Sequence, residues 1–177
     1  MRILPFALLG TPVNSQAISH YNDLINFILE KGMVPIVTLT HFDTPAIFIG
    51  SAMEGLLKRI HLGQVNFGYQ NETFADAFVN YWKLLMTHYA DRVPWWFTFN
   101  EPQASVNSGP GVDNVLKSHA QLYHYYHNEL NGTGKVSLKM NTSPAVPLLP
   151  ANQSHVEAAM HYTDLYVGAF LYPLALG

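Results

Sequence analysis

Cysteine is absent from the 177 residues of the chain. Its absence excludes disulfides and thiolate-bound metals, and it leaves the redox compartment open. Positive charge is also scarce: the chain has nine lysine and arginine residues and twelve aspartate and glutamate residues, which gives a net charge of −3. A protein that binds nucleic acid through a basic stripe is therefore excluded. No apolar run reaches the roughly 18 residues that a membrane-spanning helix needs.

The sequence leaves the cellular location open. The first residues, MRILPF, lack the charged, apolar and small-residue regions of a secretory signal peptide. Sequons of the form Asn-x-Ser/Thr nevertheless occur in mild excess over chance, at Asn71, Asn131, Asn141 and Asn152. Pro144 directly follows the third sequon and makes it a poor acceptor. Both a cytoplasmic and a secreted protein fit these observations.

Strand-like and helix-like segments alternate along the chain. With 49% hydrophobic and 12% charged residues, the composition is that of a globular protein. The apolar patterns predict strands at residues 2–5, 33–43, 93–101 and 134–141, and helices over residues 16–30, 73–89, 112–130 and 154–172. Residues 46–72 form a long, Gly-containing excursion between the second strand and the next helix.

An alternation of this kind, without a composition break, predicts one α/β domain, and its repeat length of about 40–60 residues fits an enlarged (β/α)8 barrel. A complete barrel needs eight strands and about 250 residues. We therefore expect residues 1–177 to form a single partial TIM (β/α)8 barrel of roughly four βα units, truncated at both ends. Such a partial barrel would expose two sheet edges and its apolar inner wall.

Polar residues follow two of the predicted strands, in the segments HFDTP and VPWWFTFNEP. In (β/α)8 barrels the C-terminal ends of the strands form the active site. Pro102 disfavours helical backbone at the residue before it, so we expect Glu101 to have an extended backbone at the strand end, with its carboxylate presented there. An acid next to an apolar wall has its charged form disfavoured, which suits a general acid in glycosidic bond cleavage. In that reaction Asn100 and His41 would bind sugar hydroxyls.

Strand geometry makes a shared role for Asn100 and Glu101 difficult, because adjacent residues of a regular strand face opposite sides of the sheet. Both side chains reach one sugar only if the strand bulges or ends at these residues. We therefore predict an irregularity at Asn100–Glu101.

Four segments of the chain resemble glycoside hydrolase family 1, the β-glucosidase family: RILPF, HFDTP, YADRVPWWFTFNEPQ and the LYPLALG tail. The resemblance implies strands two to five of the family's barrel. It also implies Glu101 as acid/base, Asn100 in contact with the sugar 2-hydroxyl, and His41 and Phe42 lining the sugar subsite. Phe42 replaces the more usual Trp. The substrate would be a β-glucoside or small oligosaccharide, and no cofactor or metal is implied.

The family's nucleophile lies in a Thr/Ile-Glu-Asn-Gly motif, and no ENG sequence occurs in this chain. Two hypotheses follow. In the first, the chain is part of a retaining β-glucosidase-like enzyme that hydrolyses terminal β-glucosides. In the second, it is a catalytically inactive fragment or half-barrel that at most binds sugar weakly or pairs with a partner supplying the other half. Its exposed barrel edges also predict self-association.

Structural roles are expected for other conspicuous residues. Trp95 and Trp96 lie in the middle of an apolar strand, which favours core packing over a sugar platform. Asp43 is expected to bond nearby backbone donors, and Ser154 with Glu157 matches the capping box that opens a helix.

Three histidines, His119, His124 and His127, lie close enough in the sequence to suggest a metal site, but their spacing does not support one. Spacings of five and three residues do not place all three rings on one helix face, and no acidic or cysteine partner sits at a ligand offset. We therefore expect core or solvent-exposed roles for them.

Overall fold

A computed structural model describes residues 13–42, 69–70, 72–106 and 109–176. The strand predicted at residues 2–5, the role of Asp43, almost all of the excursion and the sequon at Asn71 lie outside these residues. The elements, in chain order, are α1 Ser15–Glu30, β1 Ile36–Thr38, α2 Glu72–Tyr89, β2 Trp95–Asn100, α3 Pro102–Ser105, α4 Gly109–His124, β3 Lys135–Lys139, α5 Gln153–Thr163 and α6 Ala169–Leu176. The π-helical turns Tyr125–Glu129 and Asp164–Gly168 follow α4 and α5.

The first helix has clear signals at both ends. Asn14 caps α1, its side-chain oxygen accepting the Ala17 N–H at 3.1 Å. The helix stops at Glu30, and Gly32 then adopts a φ of +71°, which glycine reaches without strain. The predicted helix over residues 16–30, with its stop at Gly32, is confirmed.

The three described strands form one parallel sheet in the order β1–β2–β3. Parallel neighbours need a crossover between them, and α2 and α4 supply it. Strand β2 is central, with Trp96 and Phe99 each about 1% exposed, as expected for a strand covered by helices. The βα alternation and the parallel sheet are those of a partial TIM barrel.

The core lies between the sheet and helices α2 and α4. Phe78 of α2 stacks on Phe99 with ring centroids 4.3 Å apart and meets Trp82 edge to face at 5.1 Å. Tyr126, in the π-helical turn after α4, contacts Trp96 with ring centroids 6.4 Å apart. These aromatic contacts fix which side of β2 faces the helices.

The inner face of the sheet is open to solvent at the start of the strands. Ile36, Trp95 and Lys135 are register partners, so their side chains share one face. Ile36 is 56% exposed and Trp95 is 43% exposed. The expectation of core packing is therefore correct for Trp96 and wrong for Trp95, because strand alternation turns Trp95 to the inner side. There the Lys135 ammonium lies over its ring, 5.1 Å from the ring centroid.

The capping box predicted at Ser154 is also wrong. Asn152 caps α5, its side-chain oxygen accepting the Ser154 N–H at 3.0 Å. Glu157 instead accepts a hydrogen bond from the Gln153 side chain at 3.0 Å. Within the part of the chain that the structure describes, no helix combines the length and apolar character needed to cross a membrane.

Candidate active site

The C-terminal ends of the three strands are joined by backbone hydrogen bonds. The Asn100 N–H donates to the Thr40 carbonyl oxygen at 3.1 Å, which links β2 to the segment after β1. The Glu101 N–H donates to the Lys139 carbonyl oxygen at 2.6 Å, which links β2 to β3. We call this edge, residues 39–42, 100–101 and 139–141, the C-terminal edge. His41, Phe42, Asn100 and Glu101 all lie on it.

Strand β2 carries one extra residue just before this edge. Phe97 pairs with Ser137 and Asn100 pairs with Lys139, so three steps along β2 match two along β3. This count defines a β-bulge over Thr98 and Phe99. Both bulged residues face the helices, because Thr98 contacts His119 of α4 and Phe99 stacks on Phe78 of α2.

The bulge determines where Asn100 points. As the register partner of Lys139, Asn100 lies on the inner face with Lys135 and Ser137. Without the extra residue, strand alternation would turn it towards the helices. The prediction that the strand bulges or ends at Asn100–Glu101 is confirmed by the end of β2 at Asn100, whereas the bulge itself lies just before this pair, at Thr98–Phe99.

Glu101 follows the last residue of β2 in a left-handed backbone conformation, with φ +46° and ψ +53°, so the expectation of an extended backbone is wrong. For a residue other than glycine this region is sparsely populated and costs about 1 kcal/mol or more, and such strain concentrates at functional sites. Pro102 then opens α3, and the Ala104 N–H donates to the Glu101 carbonyl oxygen at 2.9 Å. The turn leaves Glu101 half-buried at the C-terminal edge.

The side-chain amide of Asn100 is buried and has no partner among the residues that the structure describes. The residue is 3% exposed, and neither its amide nitrogen nor its amide oxygen has a hydrogen-bond partner among the described residues. Leaving such groups unpaired is costly, and in native proteins they call for a specific explanation. A ligand hydroxyl, which both donates and accepts, matches this amide.

His41 and Phe42 follow β1 on the same edge and are exposed. Their rings meet edge to face with centroids 5.4 Å apart. Phe42 is 48% exposed and also has a left-handed backbone, with φ +60°. The edge thus presents an imidazole, an aromatic ring, an amide and a carboxyl group.

Two features of this region were missed by the sequence patterns. The Gln103 amide nitrogen donates to the Asn141 carbonyl oxygen at 2.6 Å, which ties α3 to the segment after β3, and its buried amide oxygen has no described partner. Thr98 and His119 form a buried pair beneath the edge, with Oγ1 and Nδ1 2.8 Å apart. The sequence feature that could have pointed to Thr98 is a hydroxyl within the apolar stretch WWFTFN. No sequence feature points to Gln103.

The three histidines of α4 and of the π-helical turn after it have separate roles. His119 is 6% exposed, and burial lowers the pKa of its imidazole to about 4. His127 Nδ1 lies 2.8 Å from the Gly132 carbonyl oxygen, and His124 is exposed. Across the described ranges, no group of three or more His, Cys, Asp or Glu residues is arranged to hold a metal ion.

Known proteins share both the sequence and the fold of this chain. The lactase-like protein of Homo sapiens is 29% identical over 197 residues, covering 99% of this chain and 32% of that protein. Beta-glucosidase 42 of Arabidopsis thaliana is 34% identical over 198 residues, covering 99% of this chain and 37% of that protein. The chain thus spans about a third of the length of these relatives.

Solved structures agree with the partial barrel. Aphid myrosinase superposes with a TM-score of 0.80 at 25% identity, over 99% of this chain and 39% of that one. The beta-glucosidase from Thermotoga maritima in complex with deoxynojirimycin gives a TM-score of 0.71 at 25% identity, over 93% of this chain and 36% of that one. The model of Glycosyl hydrolase family 1 matches residues 1–177. The chain therefore belongs to glycosyl hydrolase family 1.

Proposed function

We propose that the chain supplies the acid/base half of a retaining β-glycosidase, a β-glucosidase that hydrolyses the O-glycosidic bonds of terminal β-glucosides. The observation that carries this proposal is the position of Glu101, which directly follows β2 and Asn100, whose buried amide has no partner among the described residues. Family membership and the relatives named as beta-glucosidases support it.

In this proposal Glu101 acts twice. As an acid it protonates the glycosidic oxygen while the aglycone leaves, and as a carboxylate it then takes a proton from the attacking water. Asn100 binds the sugar 2-hydroxyl through its amide. His41 donates to another hydroxyl, and the exposed ring of Phe42 contacts the sugar face.

A retaining mechanism needs a second carboxylate about 5–5.5 Å from the first, to attack the sugar and form a glycosyl-enzyme. The 177 residues contain no ENG motif. We therefore propose that the nucleophile comes from outside these residues, across the barrel from Glu101.

The second candidate is a half-barrel that binds sugar, or pairs with a second copy, without turnover. Two observations favour it: the absence of an ENG motif, and the exposure of Ile36 and Trp95 on the inner face. Both candidates share one requirement, sugar binding at the C-terminal edge. The Thermotoga maritima structure with deoxynojirimycin supports that requirement by similarity.

We expect the chain to bind deoxynojirimycin through Asn100. Asn100→Ala is expected to weaken binding about tenfold, the equilibrium change of one net hydrogen bond. Titration of the ¹⁵N-labelled chain followed by amide shifts measures the dissociation constant and shows whether the shifted residues lie on the C-terminal edge. Asn80→Ala, on the exposed face of α2, is the matched control. Equal affinity of the Asn100 variant and the wild-type chain would contradict the proposed role.

A further inference from the structure

The bulge in β2 is fixed on its helix side by two contacts at successive residues. Thr98 Oγ1 lies 2.8 Å from His119 Nδ1 and 3.4 Å from the Ser137 carbonyl oxygen. Phe99 stacks on Phe78 at 4.3 Å. Thr98 is 0% exposed, so its hydroxyl has no access to solvent and depends on these partners.

The two contacts act in different ways. Stacking of Phe99 removes apolar area from water, but aromatic packing tolerates sliding of the ring. The Thr98 hydrogen bond is directional and holds one backbone position of β2 at a fixed distance from α4. With Thr98 held there and Phe99 turned to the same side, the extra residue is confined to this place in the strand.

We propose that Thr98 and His119 are positioning residues, which hold the bulge of β2 and thereby direct Asn100 and Glu101 to the C-terminal edge. The functional meaning of the pair rests on the proposed glycosidase site. Neither residue faces the sugar, because both lie on the helix side of the sheet.

The chemistry of the pair supports this role. Because burial keeps the imidazole of His119 neutral at physiological pH, one ring nitrogen accepts and the other donates, so the ring and the Thr98 hydroxyl match as donor and acceptor. Valine has the volume of threonine but lacks the hydroxyl. An asparagine amide occupies nearly the same place as His Nδ1, so His119→Asn conserves the hydrogen bond.

Amide hydrogen exchange of the ¹⁵N-labelled chain tests the proposal residue by residue. The reporters are the N–H groups of Asn100 and Glu101, bonded to Thr40 and Lys139. The reference is the Lys135 N–H, which donates to the Pro94 carbonyl oxygen at 2.7 Å at the other end of the same strand pair.

Thr98→Val is expected to lower the protection of both reporters about tenfold relative to the reference, by local opening of the strand end. Thr98→Ser and His119→Asn are expected to retain wild-type protection, and His119→Leu to resemble Thr98→Val. Thr87→Val is the matched control, since it removes an exposed hydroxyl of α2 that bonds the Lys83 carbonyl oxygen and the Tyr125 hydroxyl and does not contact the bulge.

A purely structural role predicts another result: the reporters and the reference would lose protection by the same factor. That outcome, or unchanged protection in Thr98→Val, would overturn the proposal. Should Thr98→Val not fold, His119→Leu takes its place. Failure of both to fold would also overturn it, because the pair would then be needed for the whole fold.

Titration of the same samples with deoxynojirimycin separates this inference from the proposed function. Loss of reporter protection together with weaker binding supports both. If the wild-type chain does not bind while Thr98→Val still loses protection, the proposed function fails and the positioning role of the pair stands.

Discussion

Replacement of Glu101 by Gln is expected to lower kcat/KM for a β-glucoside with a poor leaving group by about 10²- to 10⁴-fold, the usual contribution of a general acid. Gln has nearly the shape of Glu but no proton to give to the departing oxygen. A dinitrophenyl glucoside needs no such proton, so its glycosyl-enzyme should form at nearly the wild-type rate. Breakdown of that intermediate should be slow, because the base that activates water is missing.

The measurement needs a second carboxylate. The 177 residues can replace the matched segment of Arabidopsis thaliana Beta-glucosidase 42, and the remaining chain of that protein is then expected to supply the second carboxylate. Pre-steady-state release of dinitrophenol then separates formation of the glycosyl-enzyme from its hydrolysis. The matched control is Glu129→Gln, because Glu129 is an exposed carboxylate after α4 that lies 3.8 Å from Lys83.

Two outcomes would contradict the proposed acid/base role of Glu101. In one, Glu101→Gln slows the first step equally for good and poor leaving groups, which would indicate a loss of binding or folding. In the other, the substitution leaves the rates with both substrates unchanged while the protein stays folded. The Glu129 variant should match wild-type protein with both substrates.

Most of the described helices and strands could be predicted from hydrophobic periodicity. The helix over residues 73–89 was found because Phe78, Leu85 and Tyr89 recur at helical spacing and do pack into the core. The apolar run that becomes β2 was found because a strand covered by helices is apolar on both sides. Periodicity succeeds where burial alone decides the structure.

Two of the failures have different physical origins. Asn152 and Ser154 are both favoured N-cap residues, and Asn152 caps the helix, two residues before the predicted position. That choice is made within one turn of the chain. The exposure of Trp95 instead depends on which face of the sheet is covered, and no local pattern reveals it.

The candidate site was predictable in its membership but only partly in its geometry. The sequence indicated that Asn100 and Glu101 would require an irregular strand, because alternation cannot place both on one side. It did not show how the irregularity is built. The bulge depends on the contacts of Phe99 with Phe78 and of Thr98 with His119. These contacts involve two helices, α2 and α4, that are far apart in the sequence.

The buried histidine of the bulge should also make the fold sensitive to acid. In the folded chain the pKa of His119 is lowered to about 4 by burial, whereas the same group in the unfolded chain titrates near 6.5. Above pH 6.5 the imidazole is neutral in both states. Below that pH the unfolded chain takes up a proton that the folded chain does not, so unfolding becomes more favourable as pH falls.

The free energy of unfolding is therefore expected to fall by up to about 3 kcal/mol through this group alone between pH 6.5 and pH 4, and to change no further once both states are protonated. Urea unfolding at several pH values, followed by the fluorescence of the buried Trp82 and Trp96, measures the effect. Carboxylates also titrate in this range, so the wild-type curve by itself does not isolate His119.

The difference between the wild-type chain and His119→Asn isolates the histidine. The asparagine conserves the hydrogen bond to Thr98 but does not titrate. Between pH 6.5 and pH 4, the free energy of unfolding of the His119→Asn chain should therefore fall by about 3 kcal/mol less than that of the wild-type chain. His161→Gln, which removes an exposed histidine of α5, is the matched control and should follow the wild-type curve. A His119→Asn curve parallel to that of the wild-type chain would show that His119 is not buried as the fold requires. The packing of α4 on the bulge of β2, and with it the placement of Asn100 and Glu101, would then need revision.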